Sequence, residues 1–248
     1  MAWELYYTSA PRGLRPGSRG FCTVARTQGM PLQLIDRLES LSGYHQAGTY
    51  GTSSGFLAPV LLAHWRIAIA GRTRSVLSRV ALVGSDYSGR LNKLAYHLVL
   101  EPGEQSPAGP AWMLTQPGIM QTAWEGEPRL LPPRRLSVPV APGTLSDGSL
   151  DAASGNRHAR ALADGFGMDA SKSAAVIYAA GDDPLPLVAE ALALLEPKKR
   201  WQVTFSTCFS ELSAGSTCNW RCVLAGTPAA AEAARHATSG VVIDLTSG

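Results

Sequence analysis

Gly20-Phe-Cys-Thr-Val-Ala-Arg-Thr27 and, shortly after it, Leu32-Gln-Leu-Ile-Asp-Arg-Leu-Glu-Ser-Leu-Ser42 stand side by side with different periodicities. In the first, Phe21, Thr23 and Ala25 alternate with Cys22, Val24 and Arg26, which assigns the two sets to opposite faces of a strand. In the second, Leu34, Ile35, Leu38 and Leu41 form a helical stripe, while Gln33, Asp36, Arg37 and Glu39 face water. Pro31 suits the first helical turn, where its missing N–H has no helical partner. Gly43 is placed to cap the C-terminus in the left-handed conformation. A strand period followed at once by a helix period predicts an α+β chain.

The reading extends in both directions. Residues 3–8 are aromatic-rich and predict a strand paired with 20–27, across a loop that carries Arg12, Arg15 and Arg19 outward. Residues 46–59 are rich in Gly and Ser and read as a loop. Residues 63–70, 72–83 and 93–101 read as strands, with Trp65, Ile67 and Ile69 on one face and a glycine-bearing turn at 84–90. A short helix is expected at 110–116. The proline-rich stretch 117–142 reads as irregular, anchored by Trp124. The expected division is 1–142 as a β-rich N-terminal domain with one main amphipathic helix, 143–156 as linker, and 157–248 as a smaller domain. In that second part, helix 157–165 precedes strand 173–180 and helix 184–195, with Leu187, Val188, Ala191, Leu192 and Leu195 inward. Strands 201–206 and 219–224, a helix opened by Thr227-Pro228 and running to 237, and strand 241–245 follow. The order β-α-β-β-α-β suits a ferredoxin-like sheet; a parallel Rossmann-like sheet is the alternative. There is no internal repeat and no heptad run.

The chain has 248 residues, 45% hydrophobic and 17% charged, the balance of a folded globular protein. Its net charge of +3 is too small to argue for nucleic acid, and neither a basic stripe nor an aromatic ladder appears. Arginine far outnumbers lysine, which occurs only at Lys93, Lys172, Lys198 and Lys199, and this reads first as codon bias. No signal-peptide pattern and no membrane-length apolar run is present, the longest candidate being residues 56–65. Cys22, Cys208, Cys218 and Cys222 make no disulfide framework, so a cytoplasmic protein with reduced thiols is expected.

Four segments share a denser pattern. They are Tyr7-Thr-Ser-Ala-Pro-Arg-Gly13, Gly17-Ser-Arg-Gly-Phe-Cys-Thr-Val-Ala-Arg-Thr27, Leu38-Glu-Ser-Leu-Ser-Gly-Tyr44 and Asp86-Tyr-Ser-Gly-Arg-Leu-Asn-Lys-Leu-Ala-Tyr-His97. Together they resemble the type-2 N-terminal domain of the bacterial GTPase-associated protein family. Arg200-Trp-Gln-Val-Thr-Phe-Ser-Thr207 and Cys218-Asn-Trp-Arg-Cys-Val-Leu-Ala-Gly226 are similar to that family's middle domain. The resemblance implies action beside a partner GTPase and other proteins in bacterial conflict or defence systems. It also implies that a further C-terminal domain, carried by longer members, is lacking after Gly248. Where relatives show two adjacent histidines this chain has Tyr96-His97, so a role needing both imidazoles is not expected.

No Gly-x-x-x-x-Gly-Lys-Ser/Thr is present, so the chain is not read as a P-loop NTPase. The loop 13–20 can be read as a phosphate cradle flanked by Arg12, Arg15 and Arg19, or as a solvated hairpin loop. An arginine finger would fall to Arg19 or Arg90, both beside glycines. Asp86, Tyr87, Arg90 and Asn92 offer a carboxylate, a phenol, a guanidinium and an amide around one turn. One reading is an internal Asp86–Arg90 pair that holds the turn; the other is a contact to a partner or ligand. His97 lies on an apolar strand, where a hydrogen-bonded core histidine is the usual case. Cys218 and Cys222, read as sharing one face of a strand, are too far apart along it to share zinc. No nucleophile elbow appears. The expectation is a non-catalytic adaptor or regulator with no cofactor and no metal. Its candidate contacts to a partner or phosphate are Arg12, Arg19, Asp86, Tyr87, Arg90 and Asn92. The alternative is a nucleotide-sensing or hydrolytic module with a pocket between the two domains.

Overall fold

The computed structural model describes residues 1–43, 59–137, 156–213, 215–235 and 240–247. The loop read at 46–59 and the linker at 143–156 fall almost wholly outside these. The fold is mixed α+β, with one large sheet and six α-helices among the described residues.

The first part runs β1 (Trp3–Ala10), β2 (Gly20–Thr27), α1 (Leu32–Ser40), β3 (Leu61–Ile69), β4 (Arg72–Ser85), β5 (Leu91–Leu100), α2 (Pro110–Thr115) and β6 (Arg129–Leu131). The second runs α3 (Arg157–Met168), β7 (Ala174–Tyr178), α4 (Leu185–Ala193), α5 (Pro197–Arg200), β8 (Phe205–Ser206), β9 (Trp220–Leu224), α6 (Pro228–Arg235) and β10 (Val242–Asp244). The sheet order is β10-β7-β9-β8-β3-β4-β5-β1-β2-β6. Strands β3, β4, β5, β1 and β2 form an antiparallel block. Strands β10, β7, β9 and β8 form a parallel block. The two are stitched together where Ala63 and His64 of β3 pair antiparallel with Ser206 and Phe205.

Apolar residues cover both faces of the central strands. On one face, Leu34, Ile35 and Leu38 of α1 pack with Leu5, Trp65, Val76, Val80, Ala95 and Val99. On the other, Tyr6, Leu77, Tyr96 and Leu98 pack with residues of α2, α3 and α4. That is why β5 is buried at every position from Leu94 to Leu100, where a sheet with one wet face would alternate. In the parallel block α6 closes the opposite face through Ile177, Val223 and Ala230.

Several expectations need correction. A register shift between Tyr6 and Tyr7 leaves Val24 as an extra residue in β2. This bulge turns Ala25 onto the face of Cys22 and Val24, away from Phe21 and Thr23. Helix α1 ends at Ser40 with Leu41 as its right-handed C-cap, short of Gly43. The Ser42 hydroxyl there donates to the Leu38 carbonyl. The strand read at 201–206 shrinks to Phe205–Ser206, because Lys199–Gln202 close a turn after α5. The irregular stretch after 117 contains β6, which lies parallel on the edge of β2. The parallel directions around β7 and β9 are not those of a ferredoxin-like sheet; they agree with the Rossmann-like alternative in strand direction. Cys218 precedes β9 and packs on the α1 side, whereas Cys222 packs on the other.

Candidate functional site

The polar residues of the sequence patterns separate into two places. One is the joint between the parallel and antiparallel blocks. The other is the far tip of the antiparallel block, where the loop after β1 meets the β4–β5 turn.

At the joint, Arg200 is only 5% exposed. Its Nε donates to the Leu195 carbonyl at 2.9 Å, Nη1 to Pro107 at 2.8 Å and Nη2 to Ala193 at 3.0 Å. Trp201 Nε1 donates to the Ser106 carbonyl at 2.7 Å. The end of α4 is thereby fastened to the segment before α2. Gly109 has φ of 97°, and a Cβ there would meet the Arg200 Cβ at 3.2 Å, so the close approach needs glycine. Asn219 Oδ1 accepts from the Thr204 N–H and hydroxyl, and its Nδ2 donates to the Ala170 carbonyl. His64 Nδ1 lies 2.7 Å from the Val203 carbonyl, and burial pushes this imidazole down to about 4, so it is neutral. His97 lies between Ser42 at Nε2 and Ser78 at Nδ1, and burial pushes it down to about 3. It is the hydrogen-bonded core histidine that its strand position indicates.

The tip is organised by two side chains that accept rather than offer contacts. Asp86 Oδ1 accepts from the Ser88 hydroxyl at 2.7 Å, the Ser88 N–H at 2.8 Å and the Arg90 N–H at 3.0 Å. Its Oδ2 accepts from the Ser9 hydroxyl at 2.8 Å and pairs with Arg90 Nη2 at 3.4 Å. The Asp86 side chain is 1% exposed. The Ser88 hydroxyl, then that of Ser9, with two backbone N–H groups, holds its carboxyl well below the usual carboxylate range. Asn92 Oδ1 accepts from the Ser9 and Lys93 N–H groups at 3.1 and 2.8 Å. The turn also needs Gly89, whose φ is 79°.

Around this scaffold the other candidates diverge. Arg90 and Tyr87 project, with the Arg90 side chain 69% exposed. Arg12 is exposed but ion-paired to Glu127 at 2.8 Å. Arg15 is paired to Asp36 at 2.6 Å. Arg19 is exposed and has no ion pair among the described residues. Arg12, Tyr87 and Asn92 line one cleft of about 390 Å³, closed on its far side by Trp124 and Glu125. Trp124 is fixed there by Tyr6 and by Arg129 stacked over its ring at 4.4 Å. Asp86, Arg19 and Arg90 do not line it. Sequence reasoning missed Phe21, Leu91 and Lys93, which share the α1-side face of this tip. The i, i+2 spacing of Leu91 and Lys93 carried the signal.

A larger cavity of about 600 Å³ lies between α6 and the parallel strands. It opens at the amino ends of β7 and β10, the opposite end from that at which open parallel sheets bind ligands. A cavity between the blocks, lined by Leu41, Trp65 and Cys208, measures about 80 Å³, well under the roughly 300 Å³ of small-molecule sites.

These groups are suited to holding and contacting rather than to proton transfer. A general base works best near the operating pH, and Asp86, His64 and His97 all sit well below it. Burial pushes the Cys218 thiol up to about 12 and Cys222 higher, so neither is a thiolate at neutral pH. No group of three or more metal-binding side chains occurs among the described residues. No helix of the described residues is long and apolar enough to cross a membrane.

Comparison with known families adds two matches. Residues 1–136 match the model described as GTPase-associated protein 1, N-terminal domain type 2. Residues 144–247 match the model described as GTPase-associated protein 1, middle domain. No curated protein and no solved structure matches the chain.

Proposed function

Because this chain belongs to the GTPase-associated protein 1 family, we propose that it is a non-catalytic adaptor or regulator. It acts with a partner GTPase in a multi-protein bacterial defence assembly in the cytoplasm. Residues 1–142 and 157–248 serve as its two units, joined through 143–156. The contact surface is the tip that carries Arg19, Tyr87 and Arg90.

The observation that carries this reading is the division of labour at the tip. Asp86 and Asn92 spend their hydrogen bonds on the chain's own backbone and hydroxyls. That rigid turn leaves Arg90 and Tyr87 pointing outward. Fixed exposed arginines and aromatics are the side chains that protein interfaces favour. The test is affinity purification from the native host, with and without a non-hydrolysable GTP analogue, of the wild type and of Arg19→Glu and Arg90→Glu. A GTPase recovered with the wild type and lost with both variants is expected. Equal recovery with all three would remove the tip from the interface.

One observation favours a second reading. The cleft of about 390 Å³ places Arg12, Tyr87 and Asn92 together, and its size suits a nucleotide-scale ligand. A nucleotide panel decides it, because binding to the native state must raise the melting temperature. A flat panel counts against it.

A further inference from the structure

The α1-side face of the tip combines two features that the exposed arginines alone do not disclose. Phe21 on β2 and Leu91 on β5 are large apolar side chains left 44% and 56% exposed. One cation is seated on the Phe21 ring and two more are close neighbours of Phe21 or Leu91 in the chain. Arg19 immediately precedes the Gly20–Thr27 strand, Arg90 precedes Leu91, and the Lys93 ammonium lies 5.0 Å from the Phe21 ring centroid. Pairing of β1 with β2 and of β1 with β5 puts Phe21, Lys93 and Leu91 on one side of the sheet.

The charge of this face is balanced only in part, by Asp86 paired with Arg90 at 3.4 Å. Arg12 and Arg15 at the same end are neutralised by Glu127 and Asp36. Arg19 and Lys93 have no carboxylate partner among the described residues. Burial pushes the Lys93 ammonium down, a penalty that a docked anion would offset. Charged groups in such a setting select a partner of the opposite sign and exclude like-charged surfaces.

We infer that this face receives an acidic segment of a partner protein that inserts one apolar side chain between Phe21 and Leu91. The inference rests on the regulator reading above and names the chemistry of the partner surface. Nucleic acid fits less well. Tyr7 stacks beside Phe21 at 6.4 Å and Lys93 lies 5.0 Å from its ring centroid, which narrows the ring area that a base could stack on while leaving the exposed part of Phe21 to a smaller apolar side chain. A second copy of this chain would bring Arg19 and Lys93 against cations of their own kind.

The experiment is fluorescence-anisotropy titration of the full chain with three labelled probes. They are a short peptide of aspartates and glutamates with one central leucine, the same peptide with serine for that leucine, and a short single-stranded oligonucleotide. The leucine peptide is expected to bind, with affinity falling steeply with salt. The serine peptide, and the leucine peptide on Phe21→Ser or Lys93→Gln, are each expected to bind about tenfold or more weakly. Leu91→Ser, at the start of β5, serves where Phe21→Ser unsettles β2, with unchanged melting as the folding control. Equal binding of the leucine and serine peptides, tighter binding of the oligonucleotide, or self-association abolished by Phe21→Ser would each overturn the inference. Partner capture then separates the two levels. Recovery lost in Arg90→Glu but unchanged in Phe21→Ser and Leu91→Ser leaves the regulator reading standing and removes this one. Recovery unchanged in every variant removes the regulator surface itself.

Discussion

Arg200 and Arg90 sit in runs of similar appearance, each beside an aromatic or apolar residue and each within a family-like pattern. Arg200 is buried at the joint and its three kinds of nitrogen all donate to main-chain carbonyls. Arg90 stands at the tip, its side chain 69% exposed and bound, among the described residues, only to Ser88 and Asp86 of its own turn. The difference teaches that a patterned arginine is as often a fastener as a contact. What separates the two is how many carbonyls the tertiary structure leaves without donors nearby. At the joint the end of α4 and the segment before α2 present such carbonyls, and one guanidinium satisfies both.

The comparison can be broken at its buried side first. His64 at the joint and His97 in the core are held neutral, with values lowered to about 4 and about 3. A lowered histidine contributes stability that is fully present above its unfolded value, near 6.5, and is lost as pH falls toward the folded value. Urea unfolding at pH 7 and pH 4.5 should therefore differ by about 5 kcal/mol, the sum of two similar terms. A flat profile over that window would mean that one or both imidazoles are already charged or exposed. At the alkaline end, burial pushes Tyr6 up to about 12. Its contribution is present below pH 10 and is lost as pH rises from 10 toward 12, so absorbance of the Tyr6 phenolate should appear only with unfolding.

Arg200→Met should cost about 3 kcal/mol, because it leaves carbonyls at three positions short of a charged donor. Chemical denaturation measures it, and a loss below 1 kcal/mol would show that water replaces the guanidinium at the joint. At the tip the effects are smaller. Gly89→Ala has open space for its Cβ but must adopt a φ of 79°, so a cost of about 1 kcal/mol is expected from backbone strain alone. Hydrogen exchange should localise that loss to the β4–β5 turn. Smallest of all, Arg19→Glu should leave stability within about 0.5 kcal/mol while abolishing partner capture. A marked drop in melting temperature for this variant would place Arg19 with the fasteners and erase the distinction between the two regions.

Much of this arrangement is legible in the chain. The stripe Leu34, Ile35, Leu38 and Leu41 is buried as its spacing indicates, as are Leu187, Val188, Ala191, Leu192 and Leu195. The turn before β5 and the candidate side chains around it fall where glycine and aspartate place them. The misses have physical causes. Ala25 changes face because an inserted residue shifts the pairing with β1, and a bulge is decided by the partner strand. Strand β6 is three residues long and exists only because the edge of β2 offers it hydrogen bonds. Phe21 and Lys93 read as ordinary strand residues until pairing through β1 sets them against each other.

The sequence by itself determined the alternation of strand and helix, the positions of the turns and most of the buried set. These follow from periodicity and from the backbone freedom of Gly and Pro, which act over a few residues. Only the tertiary structure decided that β3 and β8 join the two blocks into one sheet, that Arg200 is a fastener, and that Lys93 lies over Phe21 without a carboxylate partner among the described residues. Those outcomes depend on contacts between residues far apart in the chain, whose strength is set by burial and pairing partners that no local window contains.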